Sequence, residues 1–475
     1  MRVIVVGGGI AGLSTAYHLQ ERARAVGAPV ECTLIESQDR LGGKIVTRRD
    51  DGFVVEGGPD CFLTQKPWAL ELCRSLGLGD QLVGTNEASR QVYILWKSRL
   101  HKLPDGVLLI VPTRLQPFVL SPLFSPLAKA RMGLDLVIPP RRDPSDESVA
   151  DFVRRRLGQE ALDKIAEPLL GGIHVSDPER QSLLATFPRF ADIERKHGSL
   201  IRGMLAARRT RPTSAKPLPT FMTLRGGLED LVSALVRRMD GVRMLGGRTA
   251  VHLARDGAGL YRVRLDDGAE LEADSVVLAT PARAAAGLVE GLDPTLASRL
   301  RSIRYVTTAT VSLGYRRDTF PHPLNGFGFV IPSKEHRQIT ACTWSSTKFD
   351  GRAPEGFVLL RCFLGGATDE TPALLPEDEM VRIAREELRS LMGVAVEPAL
   401  TRVFRWRDGH AQYDVGHLDL VSEIDRLCAV HPGLHLTGSS YRGVGLPDCI
   451  HNGALTAEAV LAGRRSLAGE VASGR

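Results

Sequence analysis

The sequence predicts an α/β protein in which a Rossmann-type domain, built from discontinuous segments, adjoins a mixed or antiparallel-sheet domain and a mostly helical lobe. Three observations carry this. A glycine motif near the N-terminus stands between a β-branched strand and a helix, and a second glycine-rich strand-to-helix turn lies at 438–446. Between them, 97–219 is punctuated by prolines, while 286–399 alternates β-branched runs with turns. At 475 residues the chain exceeds what one hydrophobic core usually organises, so two or three lobes are expected.

The first element is the β-branched run at 2–6, which enters Gly7-Gly8-Gly9-Ile10-Ala11-Gly12 and then the helical stretch 14–19. Gly7 allows the tight turn, Gly9 lets a pyrophosphate approach the backbone, and Gly12 lets the helix pack on the strand. The helix start offers free amides and the positive end of its dipole. A second strand at 31–35 ends at Glu36, whose carboxylate can accept from both ribose hydroxyls and would repel a 2′-phosphate. This acid comes later than the usual spacing of about 20 residues; Glu21-Arg22-Ala23-Arg24 accounts for the excess by lengthening the first helix. A glycine motif alone also fits a structural turn, but strand, turn, helix and acid together predict a dinucleotide site.

Composition narrows the class. The chain is 43% hydrophobic and 24% charged, an ordinary globular balance. Its net charge of +6 permits an anionic ligand or a membrane surface and does not point to nucleic acid. The seven cysteines are scattered without C-x-x-C spacing, which argues against a disulfide framework or a zinc site and for a reducing cytoplasm. Residues 1–6 run straight into the glycine motif, so no signal peptide is expected. No run of about 18 apolar residues suggests a membrane span. No internal repeat is apparent.

The spacing from Glu36 to Arg40-Leu41-Gly42-Gly43-Lys44 resembles the amine-oxidase-like flavoprotein superfamily, in which this loop wraps the FAD pyrophosphate. Lys44 stands where many relatives have arginine; alone, Arg40 and Lys44 also fit two solvated loop charges. Further segments are similar to the protoporphyrinogen and coproporphyrinogen oxidase family: Val55-Glu56-Gly57-Gly58-Pro59-Asp60 with Phe62, then 167–173, 185–188, 412–417 and Gly443-Val444-Gly445-Leu446-Pro447-Asp448-Cys449-Ile450. Together with 339–344, the set looks most like the bacterial branch that forms coproporphyrin III.

The resemblance implies an FAD-dependent oxidase that holds its cofactor non-covalently. It would take coproporphyrinogen III to coproporphyrin III in haem biosynthesis, removing six electrons with dioxygen and releasing hydrogen peroxide. The product would pass to a ferrochelatase, and protoporphyrinogen is the alternative substrate. The resemblance sets Gly57, Gly58, Pro59 and Asp60 beside the flavin, with Gly438, Val444, Gly445 and Leu446 opening a second helix toward it. It matches Val251 to a valine whose backbone pairs with adenine, and Trp406 to a tryptophan beside the flavin; a buried core aromatic fits Trp406 equally. The FAD-binding domain is then 1–60, 220–285 and 400–475, the substrate domain 61–96 and 286–399, and the lobe 97–219.

The flavin carries the redox chemistry, so neither a catalytic triad nor a metal is expected. The protein must bind a disc and anchor its propionates, for which arginine and lysine give charge-assisted bonds. Lys66 aligns with a lysine thought to face a propionate. Arg90 lies two residues before Val92, where plant-type relatives have an arginine, and is read as sharing a strand face with it. His174 and Phe327 are further pocket candidates, each also explicable by packing. The stretch from Arg195 to Arg225, with Lys196, Arg202, Arg208, Arg209, Arg211 and Lys216, contains no acidic residue; it reads as a solvated loop or as a basic gate. The apolar stretch 106–136, with Arg114, Lys129, Arg131 and Asp135, reads as a helical lid or as peripheral membrane contact. An amine oxidase should carry an aromatic pair framing the flavin, which Gly443-Val444-Gly445 does not supply. A carotenoid desaturase is disfavoured by the short substrate lobe and the basic residues. A non-enzymatic interaction module stabilised by FAD stays open.

Overall fold

The computed structural model describes residues 1–108, 110–112, 115–209 and 218–473. The strands that position the site are β1 (Arg2–Val6), β2 (Glu31–Ile35), β3 (Val92–Trp96), β4 (Arg99–Lys102), β5 (Val242–Leu245) and β6 (Ser275–Leu278). They continue with β7 (Tyr305–Arg316), β8 (Gly328–Val330), β9 (Ala341–Trp344), β10 (Phe357–Gly365), β11 (Leu400–Ala411) and β12 (Leu434–Leu436). Three helices recur below: α1 (Ile10–Ala25), α2 (Pro188–His197) and α3 (Leu446–Ser473).

A parallel sheet of order β5-β2-β1-β6-β12 carries the N-terminal motif. In β1, Val3 to Val6 are all buried, as an apolar run covered on both faces should be. Val3 and Val5 join Leu13, Leu34 and Val277 in one core, while Ile4 and Val6 join Ile35, Val276 and Leu278 in another. The period-two alternation of the strand thus serves two cores at once. α3 lies close against α1: a Cβ at Gly453 would stand 2.6 Å from the Ala11 carbonyl oxygen. Ser14 Oγ donates to the Ile450 carbonyl at 2.8 Å across the same crossing.

The second sheet runs β11-β7-β10-β9-β8-β3-β4, antiparallel except where β8 and β3 pair in parallel. Its core holds Trp344 and Tyr315, with helix Glu377–Met392 packed through Ile383, Ala384 and Leu388. Two segments fall differently from the sequence-based grouping. Residues 400–411, grouped with the nucleotide-binding pieces, form β11, registered along β7 from Leu400 to Ala411. Residues 99–102, grouped with the helical lobe, form β4 at the far edge, hairpinned to β3. For 400–411 long-range pairing decides, which a local pattern cannot report, whereas 99–102 follow β3 across the two-residue turn at 97–98 and join it as a local hairpin.

The lobe is otherwise mostly helical and includes a π-helical segment, Leu162–Gly171, around Pro168, which supplies no amide to a regular ladder. Arg156, fully buried, donates to Asp135 at 2.6 Å and ties the lobe together. No helix among the described residues is long and apolar enough to cross a membrane.

Candidate active site

One cavity of about 2570 Å³ runs from the Gly7–Gly9 turn to the second sheet and on to the lobe. Small-molecule sites usually measure about 300–1,000 Å³, so this cavity has room for a dinucleotide and a second ligand. At its nucleotide end the glycines leave no space for side chains. A Cβ on Gly12 would stand 1.9 Å from the Gly7 carbonyl oxygen, and one on Gly7, at φ 110°, would stand 2.8 Å from that of Ala279. α1 starts at Ile10 with Gly9 as its cap and no acid in its first turn, so its free amides face the cavity without a competing carboxylate. Glu36 closes the turn: its carboxylate accepts from Gly8 N at 2.7 Å and Gln38 N at 2.9 Å, and still borders the cavity. This cradle fits the adenosine and pyrophosphate half of FAD.

The expected loop residues divide. Gly43 and Lys44 line the cavity. Arg40 points into its own loop, donating to the carbonyls of Ile45 (3.2 Å) and Gly43, and so shapes the wall from behind. The Lys44 ammonium is spent on the Gly409 carbonyl, and burial pulls its pKa down. Val251 is 44% exposed and is not among the residues that line the cavity, whereas Arg248, Thr249 and Ala250 are.

The turn 57–61 is strapped down from the second sheet. Trp406 Nε1 donates to the Gly57 carbonyl at 2.8 Å, and Arg361 Nη2 donates to the carbonyls of Gly57 (3.1 Å) and Gly58 (2.8 Å). Neither glycine has room for a side chain: a Cβ on Gly57 would meet Phe404 at 2.5 Å, and one on Gly58 the Lys44 carbonyl oxygen at 1.8 Å. Asp60 Oδ2 accepts from Lys348 Nζ at 2.8 Å. Burial works against both charges, yet Lys348 and Arg361 hold the Asp60 carboxyl well below the usual carboxylate range, and Asp60 in turn raises Lys348. Burial pushes the neighbouring Cys61 thiol up to about 12. Lys348 and Arg361 were not anticipated from the sequence. A charge within the apolar run of β10 was the available signal for Arg361; Lys348 left none.

At the other end, Gly438, Val444, Gly445 and Leu446 line the cavity ahead of α3. Gly443, at φ 80°, leaves space that a Cβ would take from Asp448, at 2.5 Å from its Cβ. Asp448 sits in the first turn of α3 and accepts from Lys66 Nζ through both oxygens at 2.7 Å. Lys66 therefore reaches the cavity wall with its charge already partnered. His174 is pushed down to about 4, first by burial and then by Lys66, and is neutral at physiological pH. Its ring meets Phe187 edge-on at 5.2 Å. Phe327 lines the cavity and is fixed by its backbone, donating to Gln91 O at 2.7 Å and accepting from Trp344 N at 2.8 Å. Arg90 also borders the cavity, but it ends the short 3-10 turn Glu87–Ser89 and faces Glu87 at 3.8 Å. It is not on β3, which begins at Val92, so the shared strand face expected from a two-residue spacing does not exist. Of the basic stretch, Arg195 pairs with Asp192 at 2.6 Å. Arg211, Lys216 and the side chains of Arg208 and Arg209, like Arg114, lie outside the described residues.

The flavin containing amine oxidoreductase family matches residues 10–461. The coproporphyrinogen III oxidase of Bacillus subtilis (strain 168) is 39% identical over 95% of this chain and 96% of its own. That of Staphylococcus aureus (strain NCTC 8325 / PS 47) is 35% identical over 97% of this chain and 99% of its own. Among solved structures, a protoporphyrinogen oxidase candidate from Exiguobacterium sp. 255-15 is similar with a TM-score of 0.85 at 32% identity, covering 97% of this chain and 98% of that one.

Proposed function

The chain belongs to the flavin containing amine oxidoreductase family, and from that premise we propose that it oxidises coproporphyrinogen III to coproporphyrin III with FAD and dioxygen. The observation that carries the reading is the single cavity joining the dinucleotide cradle to the second sheet and the lobe, with room for a macrocycle beyond the cofactor. The names of relatives aligned over nearly the whole chain support the choice of substrate. Bound FAD supplies a two-electron acceptor that dioxygen can reoxidise. The macrocycle loses six hydrogens in all, so three dioxygen become three hydrogen peroxide per porphyrin. The chain's own residues bind and orient: the glycine turn and Glu36 hold the nucleotide, and Trp406, Arg361 and Lys348 fix the 57–61 turn against the cavity. Phe327 and Phe187 offer apolar faces to a disc. All seven cysteines are free, which suits a reducing cytoplasm, where the product would be available to a ferrochelatase.

Anaerobic mixing of the FAD-loaded protein with coproporphyrinogen III should bleach the flavin absorption and produce porphyrin, and air should restore the band. Run beside protoporphyrinogen IX, coproporphyrinogen III should show the higher specificity constant. A flavin that neither porphyrinogen bleaches would overturn the reading. A preference for protoporphyrinogen would overturn its substrate half.

A further inference from the structure

Most cations on the cavity wall already have a partner. Lys66 is on Asp448, Lys334 on Asp163 at 2.6 Å and Lys348 on Asp60, while Lys44 and Arg361 are spent on backbone carbonyls. Arg189 is different. It lines the cavity on its lobe side, exposed, in the first turn of α2, and no hydrogen bond or ion pair engages its guanidinium among the described residues. Arg407 also meets no acid among the described residues, but it follows Trp406 on β11 and lies two residues before Gly409, whose carbonyl holds Lys44.

An exposed arginine is ordinarily just solvated. Two features make this one more than that. It borders a cavity proposed above to take a tetracarboxylate, and two residues before it Phe187 packs against His174, whose ring feels the Lys66 charge. Arg189 and Lys66 both border this one cavity, and of the two only Arg189 is free, among the described residues, to take a new anion without displacing an acid. An arginine can also grip a carboxylate with two parallel N–H donors.

Resting on that proposed function, we infer that Arg189 binds one carboxylate of the substrate at the lobe side of the cavity, and so favours a tetracarboxylate macrocycle over a dicarboxylate one. The test uses the FAD-loaded protein, with coproporphyrin III and its tetramethyl ester as fluorescent probes at low and high salt. Arg189→Met should weaken coproporphyrin III binding about fivefold at low salt, as expected for a partly exposed charge pair. Binding of the ester should stay unchanged, Arg189→Lys should keep most of the affinity, and high salt should shrink the difference. A variant that binds the acid within twofold of the parent, or loses acid and ester equally, overturns the role of Arg189. If the parent still oxidises coproporphyrinogen III in that case, the proposed function survives; a parent that oxidises no porphyrinogen removes both.

Discussion

Substituting Asp448 by asparagine separates two roles for Lys66, because they predict opposite signs. The Lys66 side chain is 43% exposed and that of Asp448 16%, with both carboxylate oxygens 2.7 Å from the ammonium. Solvent screening holds such a half-exposed pair to about 1 kcal/mol. If Lys66 meets a propionate, Asp448 competes for the same ammonium and repels the incoming carboxylate. Asp448→Asn then removes the competitor and should lower KM for coproporphyrinogen III about fivefold, since 1.4 kcal/mol corresponds to a factor of ten. Lys66→Ala should raise KM instead. If Lys66 serves only to hold Asp448 in the first turn of α3, both variants disturb the 443–446 turn and shift the kinetics the same way. The assay is the steady-state appearance of porphyrin fluorescence with kcat and KM resolved, and flavin content and a thermal melt confirm the fold. An Asp448→Asn enzyme with a raised KM would refute the anchor reasoning for Lys66.

Three further outcomes are expected. Gly12→Val places a side chain where even a Cβ would stand 1.9 Å from the Gly7 carbonyl oxygen, so the purified protein should carry little flavin by absorbance; full occupancy would contradict the cradle. Glu56 is buried and, through burial, pushed up to about 7 from 4.5. The folded state therefore binds more protons than the unfolded one between those values, and stability should fall as pH rises from 4.5 to 7, by up to about 3 kcal/mol for this group. Glu56→Gln should flatten the melting temperature across that window, leaving a remainder from Glu167, which burial also pushes up to about 7; an unchanged slope would contradict the assignment. Lys348→Met leaves Asp60 without its ammonium partner and should cost about 3 kcal/mol in chemical denaturation, whereas the double variant with Asp60→Asn should cost less than Lys348→Met alone. A double variant that loses the sum of the two single losses would mean that the pair is not coupled.

Legibility in the sequence was uneven, and the reason is physical. The strand, glycine turn and helix at the N-terminus were readable because each requirement is local: β-branched residues for β1, glycines where Gly7 and Gly12 exclude a Cβ, and an acid just after β2. The second strand-to-helix turn was readable for the same reason, and 28 residues of α3 follow it. Where a strand is placed by its neighbour, the local signal fails. β11 belongs to the second sheet because β7 pairs with it, although Trp406 on that strand reaches back to Gly57 in the 57–61 turn. Arg90 was misplaced by a spacing rule that holds only within a strand, while β3 starts two residues later.

The substrate end follows from this contrast. A nucleotide is gripped largely by backbone, and backbone approach leaves glycines that a sequence displays. A macrocycle with carboxylates is gripped by side-chain charges, and what a charge can do depends on whether the fold has already given it a partner. Lys66 and Arg189 are both basic residues on one cavity wall, yet Asp448, 382 residues away in sequence, occupies the first, while no acid meets the second among the described residues. Resemblance ranks Lys66 first because it aligns; the fold ranks Arg189 first because its charge is unspent. The two rankings part at Asp448→Asn, which should strengthen the claim of Lys66 on the substrate and leave the contribution of Arg189 unchanged.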